Sequence, residues 1–190
     1  SLAQVAAFII NDGGNMKAGE PELTAALRGI AACDVTVRSL KGMAHSGAYG
    51  GAAPDALMAL IRILDSLLDE NGDVAIEGLT RFEWEGADIS EEDFRTAAGV
   101  LPGVGLIGTG SLATRLWARP SVTAIGLDAT PTEGASNSLI PEAKARISLR
   151  IAPGSDPAES LRLLMEHLRK HAPWGVEVVT APIHTGDAFQ

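Results

Sequence analysis

The chain has 190 residues, enough for one domain with a sizeable core, and carries 15 Lys and Arg against 24 Asp and Glu, a formal net charge of −9. That balance excludes a general nucleic-acid surface and disfavours an anionic membrane, because both need clustered cations. The single cysteine, Cys33, excludes an internal disulfide framework and a thiolate metal cluster, and reads as a small buried hydrophobe in a reducing compartment. No stretch is apolar for long enough to span a bilayer, and no charged-then-apolar leader precedes a cleavage site, so a soluble, cytoplasmic protein is expected. The chain opens inside an apolar run without an initiator Met and reads as a piece of something longer.

Residues 5–10 are continuously apolar, the pattern of a short buried parallel strand, and stop at the turn signal Asn11-Asp12-Gly13-Gly14-Asn15. A carboxylate just past such a strand sits where α/β enzymes place their chemistry, although on composition alone an Asx turn is the better explanation. Residues 30–39 alternate, with Cys33, Val35 and Val37 on one face and Asp34, Thr36 and Arg38 on the other, which predicts a half-exposed strand. Pro54 then suits a first helical position, and Leu57, Leu60, Ile61, Leu64, Leu67 and Leu68 recur at helical spacing, predicting a helix that ends near Asp69.

Residues 72–120 are less regular. Ser90 with Asp93 predicts a capped helix over 91–98, and Ser111 a second one running to Trp117 before Pro120. The glycine-rich stretch 101–110 lacks the Lys-Ser/Thr ending and the preceding strand of a phosphate loop. Strands are predicted over 122–128 and 144–151, the second alternating Ala145, Ile147, Leu149 and Ile151 against Lys144, Arg146, Ser148 and Arg150. Asp156, Pro157 and Glu159 open a helix striped by Leu161, Leu164 and Leu168, with a capping-box pattern at its start and Arg169, Lys170 and His171 in its last turn. A strand over 175–180 closes the series.

The expected fold is therefore α+β, a ferredoxin-like β-α-β-β-α-β arrangement: a four-stranded antiparallel sheet with two helices on one face and a polar, open second face. Fold by itself names no function.

Three segments taken in order resemble the M20 metallopeptidases, in particular the dipeptidase and carnosinase-like branch. They are Asp12 in Ile10-Asn11-Asp12-Gly13-Gly14-Asn15, followed by Gly19-Glu20-Pro21-Glu22-Leu23-Thr24 and Leu27-Arg28-Gly29; Ala44-His45-Ser46-Gly47-Ala48-Tyr49-Gly50-Gly51; and Asn137-Ser138-Leu139-Ile140-Pro141, leading into Ser148-Leu149-Arg150-Ile151-Ala152-Pro153-Gly154. The resemblance implies the dimerisation or lid domain of a larger enzyme. Residues 1–28 would be the edge of a catalytic-domain segment and 29–181 the lid, with 72–120 as an insertion. The chain would return to the catalytic domain, its second flap, at 182–190. The implied parent is a hydrolase whose two divalent metal ions, zinc being the expected metal, share a water that attacks a peptide or amide carbonyl of a dipeptide or N-acyl amino acid. It would be a homodimer through the lid.

Carried over residue by residue, the resemblance makes Asp12 a metal ligand. His45 becomes the lid histidine that reaches the other subunit's active site and stabilises the oxyanion. Arg150 pairs with the substrate carboxylate, a bidentate task for a guanidinium, and Asn137 or Ser138 hydrogen-bonds the substrate backbone. The family's His-x-Asp segment, adjacent Glu pair and final metal-binding His are absent, so the fragment is expected to be metal-free and inactive by itself. Met16 stands where the family has an aromatic, and His184 matches no family role and reads as a loop histidine. The alternative to a lid is a non-catalytic ferredoxin-like module for small-ligand binding or self-association, which leaves Asp12 and the His45 loop unexplained.

Overall fold

The computed structural model describes Gly19 and residues 26–189. The predicted strand at 5–10 and its Asp12 turn lie outside the described residues. Strand β1 (Gly29–Arg38) leads to a two-residue strand, β2 (Ala44–His45), and one helical turn, α1 (Ser46–Tyr49). Helices α2 (Ala56–Asp65) and α3 (Glu91–Ala98) come next, then a π-helical turn at Thr114–Ala118. The chain continues as β3 (Ser121–Asp128), β4 (Ser138–Leu139), β5 (Glu142–Ile151), α4 (Pro157–Lys170) and β6 (Glu177–Gly186).

Four of these strands form an antiparallel sheet in the order β3-β5-β1-β6, so the two strands with the clearest alternation lie at its centre. Alternation decides the faces. Cys33, Val35 and Val37 of β1 pair with Ile147, Ala145 and Ala143 of β5, and all are buried against Leu60 and Ile63 of α2 and Leu164 and Leu168 of α4. Each such Leu or Ile contributes about 1.5–3 kcal/mol by leaving water. Both helices therefore lie on one face, as the sequence pattern predicts. Burial also pushes the Cys33 thiol up to about 12, with the Asp34 carboxylate adding to the effect, so the cysteine is an inert core residue.

The other face is polar and built around Asp34. Arg146 grips its carboxylate bidentately at 2.7 and 3.0 Å, Lys144 reaches it at 2.7 Å, and the residue is only 6% exposed although no helix covers it. The hydrogen bonds from Arg146, reinforced by Lys144, hold the carboxyl down at about 2. A carboxyl depressed in the fold adds stability above its unfolded value, near 4, and loses it as pH falls towards 2. Asp34→Asn is therefore expected to cost about 1–3 kcal/mol at pH 7. It should also flatten the dependence of stability on pH across that acid window, as read by denaturant unfolding at several pH values. An unchanged acid limb would show that the triad contributes nothing.

Local chemistry corrects several boundaries. Pro54 is not the first helical residue of α2: Asp55 is the N-cap, its Oδ1 accepting from Met58 N at 3.0 Å, and Pro54 stands one residue earlier. The helix ends at Asp65 rather than near Asp69. Ser66 turns its hydroxyl back to Ile63 O, Leu68 bridges to Val74, and Asp69 gathers the amides of Asn71 and Asp73, so Leu67 stays in the core without staying in the helix. Ser90 caps α3 and Asp156 caps α4, as their sequences predict. Glu159 does not close a capping box, because its carboxylate is taken by Arg162 at 2.6 and 2.8 Å. Ser111 accepts from Thr114 N, but the turn it opens widens into the π form over Thr114–Ala118. The last strand runs on to Gly186, and His184 belongs to it, paired with Ala32, and is not a loop residue.

The glycine-rich stretch folds with the wrong polarity for phosphate. Arg115 donates to the carbonyls of Ile107 and Gly110, Arg119 donates to the carbonyl of Thr109, and the Thr109 amide is spent on Asp73. A phosphate cradle needs free amides pointing inwards, and here cations collect carbonyls.

Candidate functional site

The second expected segment forms a small structure of its own. Beyond Arg38 and Glu142 the β1–β5 ladder continues through Ser39 N to Pro141 O at 3.0 Å, and then through β2 and β4, where Ala44 faces Leu139 and His45 faces Ser138. The two central strands thus run past the sheet as a narrow ribbon with His45 near its tip. Ser46 fastens the tip by donating both its amide and its hydroxyl to Asn137 O, each at 2.9 Å. Asp55 ties the ribbon to α2, accepting from Ile140 N at 2.7 Å with the oxygen that its cap leaves over.

His45 is exposed and caps α1, its Nδ1 accepting from Gly47 N at 3.1 Å. With Nδ1 occupied as an acceptor, the neutral ring carries its proton on Nε2, and that N–H is left as an outward donor. The glycines around it follow from sterics. A Cβ on Gly47 would lie 2.9 Å from His45 Cε1, one on Gly50 would lie 2.3 Å from Ser46 O, and Gly51 holds φ +86. The loop is therefore a platform for the imidazole.

Ser138 stands directly across from His45, so their side chains share a face of the ribbon, whereas Asn137 contributes its carbonyl to the Ser46 anchor. Ser136 Oγ lies 3.0 Å from Ser138 Oγ.

Arg150 is not part of this group. It projects from the open face at the far end of β5, paired with Ile30 and with Ser121. Between Glu142, at the base of the ribbon, and Arg150 lies about 27 Å of strand at roughly 3.4 Å per residue. A dipeptide extends no more than about 7 Å. Within one chain, His45 and Arg150 cannot touch the same small substrate. Asp12 lies outside the described residues.

Arg28, to which the family resemblance gives no role, sits beside Arg150. Its Nη1 donates to Ser121 Oγ at 3.1 Å, and burial, followed by the charge of Arg150, lowers its pKa. Only the cross-strand register reveals that closeness. Next to it Leu27 and Phe189 exchange backbone hydrogen bonds of 2.8 and 3.0 Å, so the entering and leaving segments run side by side. Gly29 makes this possible: a Cβ there would meet Ala188 N, Gly186 O and Ile151 Cγ1, each at 2.8 Å.

Among the described residues no group of three or more His, Cys, Asp or Glu could hold a metal ion, and no helix is long and apolar enough to cross a membrane. The described part of the chain does not fit a metal centre.

Comparison with known proteins gives a consistent result. The chain is 46% identical over 185 residues to the cysteinylglycine-S-conjugate dipeptidase of Corynebacterium striatum, covering 96% of this chain and 41% of that protein. It is 27% identical over 162 residues to the Cys-Gly metallodipeptidase dug1 of Schizosaccharomyces pombe, covering 80% of this chain and 34% of that protein. The chain thus spans well under half the length of these relatives. Among solved structures, human carnosine dipeptidase 1 shares the fold with a TM-score of 0.74 at 19% identity, covering 92% of this chain and 40% of that one. The dipeptidase Dug1p of Saccharomyces cerevisiae does so with a TM-score of 0.71 at 21% identity, covering 89% and 38%. Residues 25–176 match the family model of the peptidase dimerisation domain, well over half of the chain, which therefore belongs to the M20 peptidase dimerisation-domain family.

Proposed function

We propose that this chain is the lid and dimer contact of a metal-dependent dipeptidase, and that it completes an active site only with a metal-bearing body and a second subunit. The observation that carries the reading is the placement of His45 and Arg150 at opposite ends of one long ribbon. Two residues meant for one small substrate, yet held about 27 Å or more apart in a chain, must come from different copies. A homodimer related by a two-fold axis supplies both pairings at once.

In this reading Arg150 pairs with the carboxylate of a dipeptide held by its own subunit. The partner copy contributes His45, whose Nε2–H donates to the oxygen that gains charge as the carbonyl is attacked. Ser138, across from His45, or the side-chain amide of the neighbouring Asn137 hydrogen-bonds the substrate backbone. Residues 1–28 lead from the body, and the chain returns to it after β6; because β6 stays in this sheet to Gly186, the return begins near 187 and not at the expected 182. Two divalent ions, with zinc as the expected metal, belong to that body, and Asp12 is one of their ligands. The substrate class follows the names of the relatives, dipeptides of the Cys-Gly kind, with N-acyl amino acids as the wider set. A cytoplasmic setting accords with the free, buried Cys33.

The test is on the full-length protein that carries this chain. It is expected to hold two divalent ions per subunit by elemental analysis and to hydrolyse Cys-Gly, with chelation abolishing turnover. A metal-free protein that cleaves no dipeptide would sink the reading.

A further inference from the structure

The open face of the sheet ends on two arginines. Arg28 precedes β1 by one residue and, by alternation, lies on the same face as Ile30. Ile30 pairs with Arg150 on β5, and Arg150 pairs with Ser121 on β3. The Arg28 guanidinium crosses this row to reach Ser121 Oγ at 3.1 Å, so it passes over the strand from which Arg150 projects. Two guanidiniums therefore share one end of the sheet.

The other arginines of this face are matched: Arg146 by Asp34, and Arg38 by Glu142 and Glu177. Arg28 and Arg150 make no ion pair with a carboxylate among the described residues. Like charges, Arg28 partly buried and Arg150 exposed, repel, and the arrangement is relieved by an anion placed between them. A carboxylate has two oxygens with about four lone-pair sites, enough to take an edge from each fork.

We propose that Arg28 is a second carboxylate-binding residue, which closes on the free C-terminal carboxylate of a dipeptide from the side opposite Arg150. Ser121 is its anchor, holding the guanidinium in place before substrate arrives. The inference rests on the reading of Arg150 as the carboxylate partner.

The test compares Cys-Gly with its C-terminal amide in the full-length enzyme. Arg28→Gln removes the charge, and because its shorter side chain also gives up the bond to Ser121, a melting curve taken beside the kinetics shows whether the fold is spared. The expected result is a rise in KM for Cys-Gly of roughly tenfold or more, with kcat and the KM of the amide unchanged. Arg28→Lys should recover part of the loss, since it restores charge without the planar fork. An unchanged KM for Cys-Gly, or an equal rise for acid and amide, overturns the inference and leaves Arg28 as a structural residue. Arg150→Gln, run beside it, separates the two claims. If Arg150→Gln discriminates acid from amide and Arg28→Gln does not, only the role of Arg28 falls; if neither does, the carboxylate site itself is misplaced.

Discussion

Mixing full-length protein bearing His45→Ala with protein bearing Arg150→Ala is expected to restore about a quarter of wild-type turnover of subsaturating Cys-Gly, by random assortment of a two-fold dimer. Each variant by itself should fall to about 1% or less, because an oxyanion donor contributes about 10²–10³ in kcat and a carboxylate partner a comparable factor in kcat/KM. The arithmetic follows from the ribbon. In a mixed dimer, one site combines an intact Arg150 from the first subunit with an intact His45 from the second, and the other site lacks both. Half of the dimers are mixed and each has one working site. The converse mixture is equally informative: wild type with the double variant should keep about a quarter of the activity, against about a half if both residues served one subunit. No recovery on mixing, with heterodimers present by native mass spectrometry, would mean that His45 and Arg150 act within one subunit.

The sheet and its two covering helices were legible because their signals are local. Period two in β1 and β5, and leucines at helical spacing behind Asp156 and Pro157, state which face is buried without reference to anything distant. Boundaries failed where a side chain competed with the helix. Leu67 and Leu68 continue the apolar spacing, yet Ser66 and the Asx turn at Asp69 unwind the backbone there. The last strand runs beyond Thr180, where its sequence pattern ends, because the segment from Pro182 that resembles a return to the catalytic domain continues the ladder to Gly186. As an edge strand, β6 tolerates that proline at the point where its register slips past Ala32 and Cys33.

Of the site, residue types were readable and distances were not. Asp12, His45, Arg150 and the Asn137-Ser138 pair came from a resemblance, and nothing in the sequence orders them in space. That His45 pairs with Ser138, that Arg150 stands at the other end of the ribbon, and that Arg28 leans over Ser121 all depend on the register between strands about a hundred residues apart. The four-residue helix after His45 was missed for a related reason. It buries no side chain, so it has no periodic signal, and only its capping histidine and its glycines mark it.

Those glycines support the last expectation, that Gly50→Ala lowers kcat by roughly ten- to a hundredfold while leaving the fold intact, in line with the cost of misplacing a reacting group by about 1 Å. Gly50 has φ −62 and ψ 149, which alanine adopts freely, so backbone strain is not the cause. The cause is contact: the new Cβ would stand 2.3 Å from Ser46 O, the same oxygen that accepts from Gly50 N at 2.8 Å. Either the turn opens or that hydrogen bond breaks, and both shift the base on which the His45 ring rests. Stability should change by less than about 1 kcal/mol, since the loop is exposed and carries none of the core. Gly51→Ala strains a positive φ instead and adds roughly 1 kcal/mol of cost. Ala48→Ser, on the exposed side of the same turn, should leave both kcat and melting temperature where they are. Full turnover in Gly50→Ala, with an unchanged melting curve, would mean that the imidazole does not need this platform, and a role for His45 at the reacting carbonyl would then be untenable.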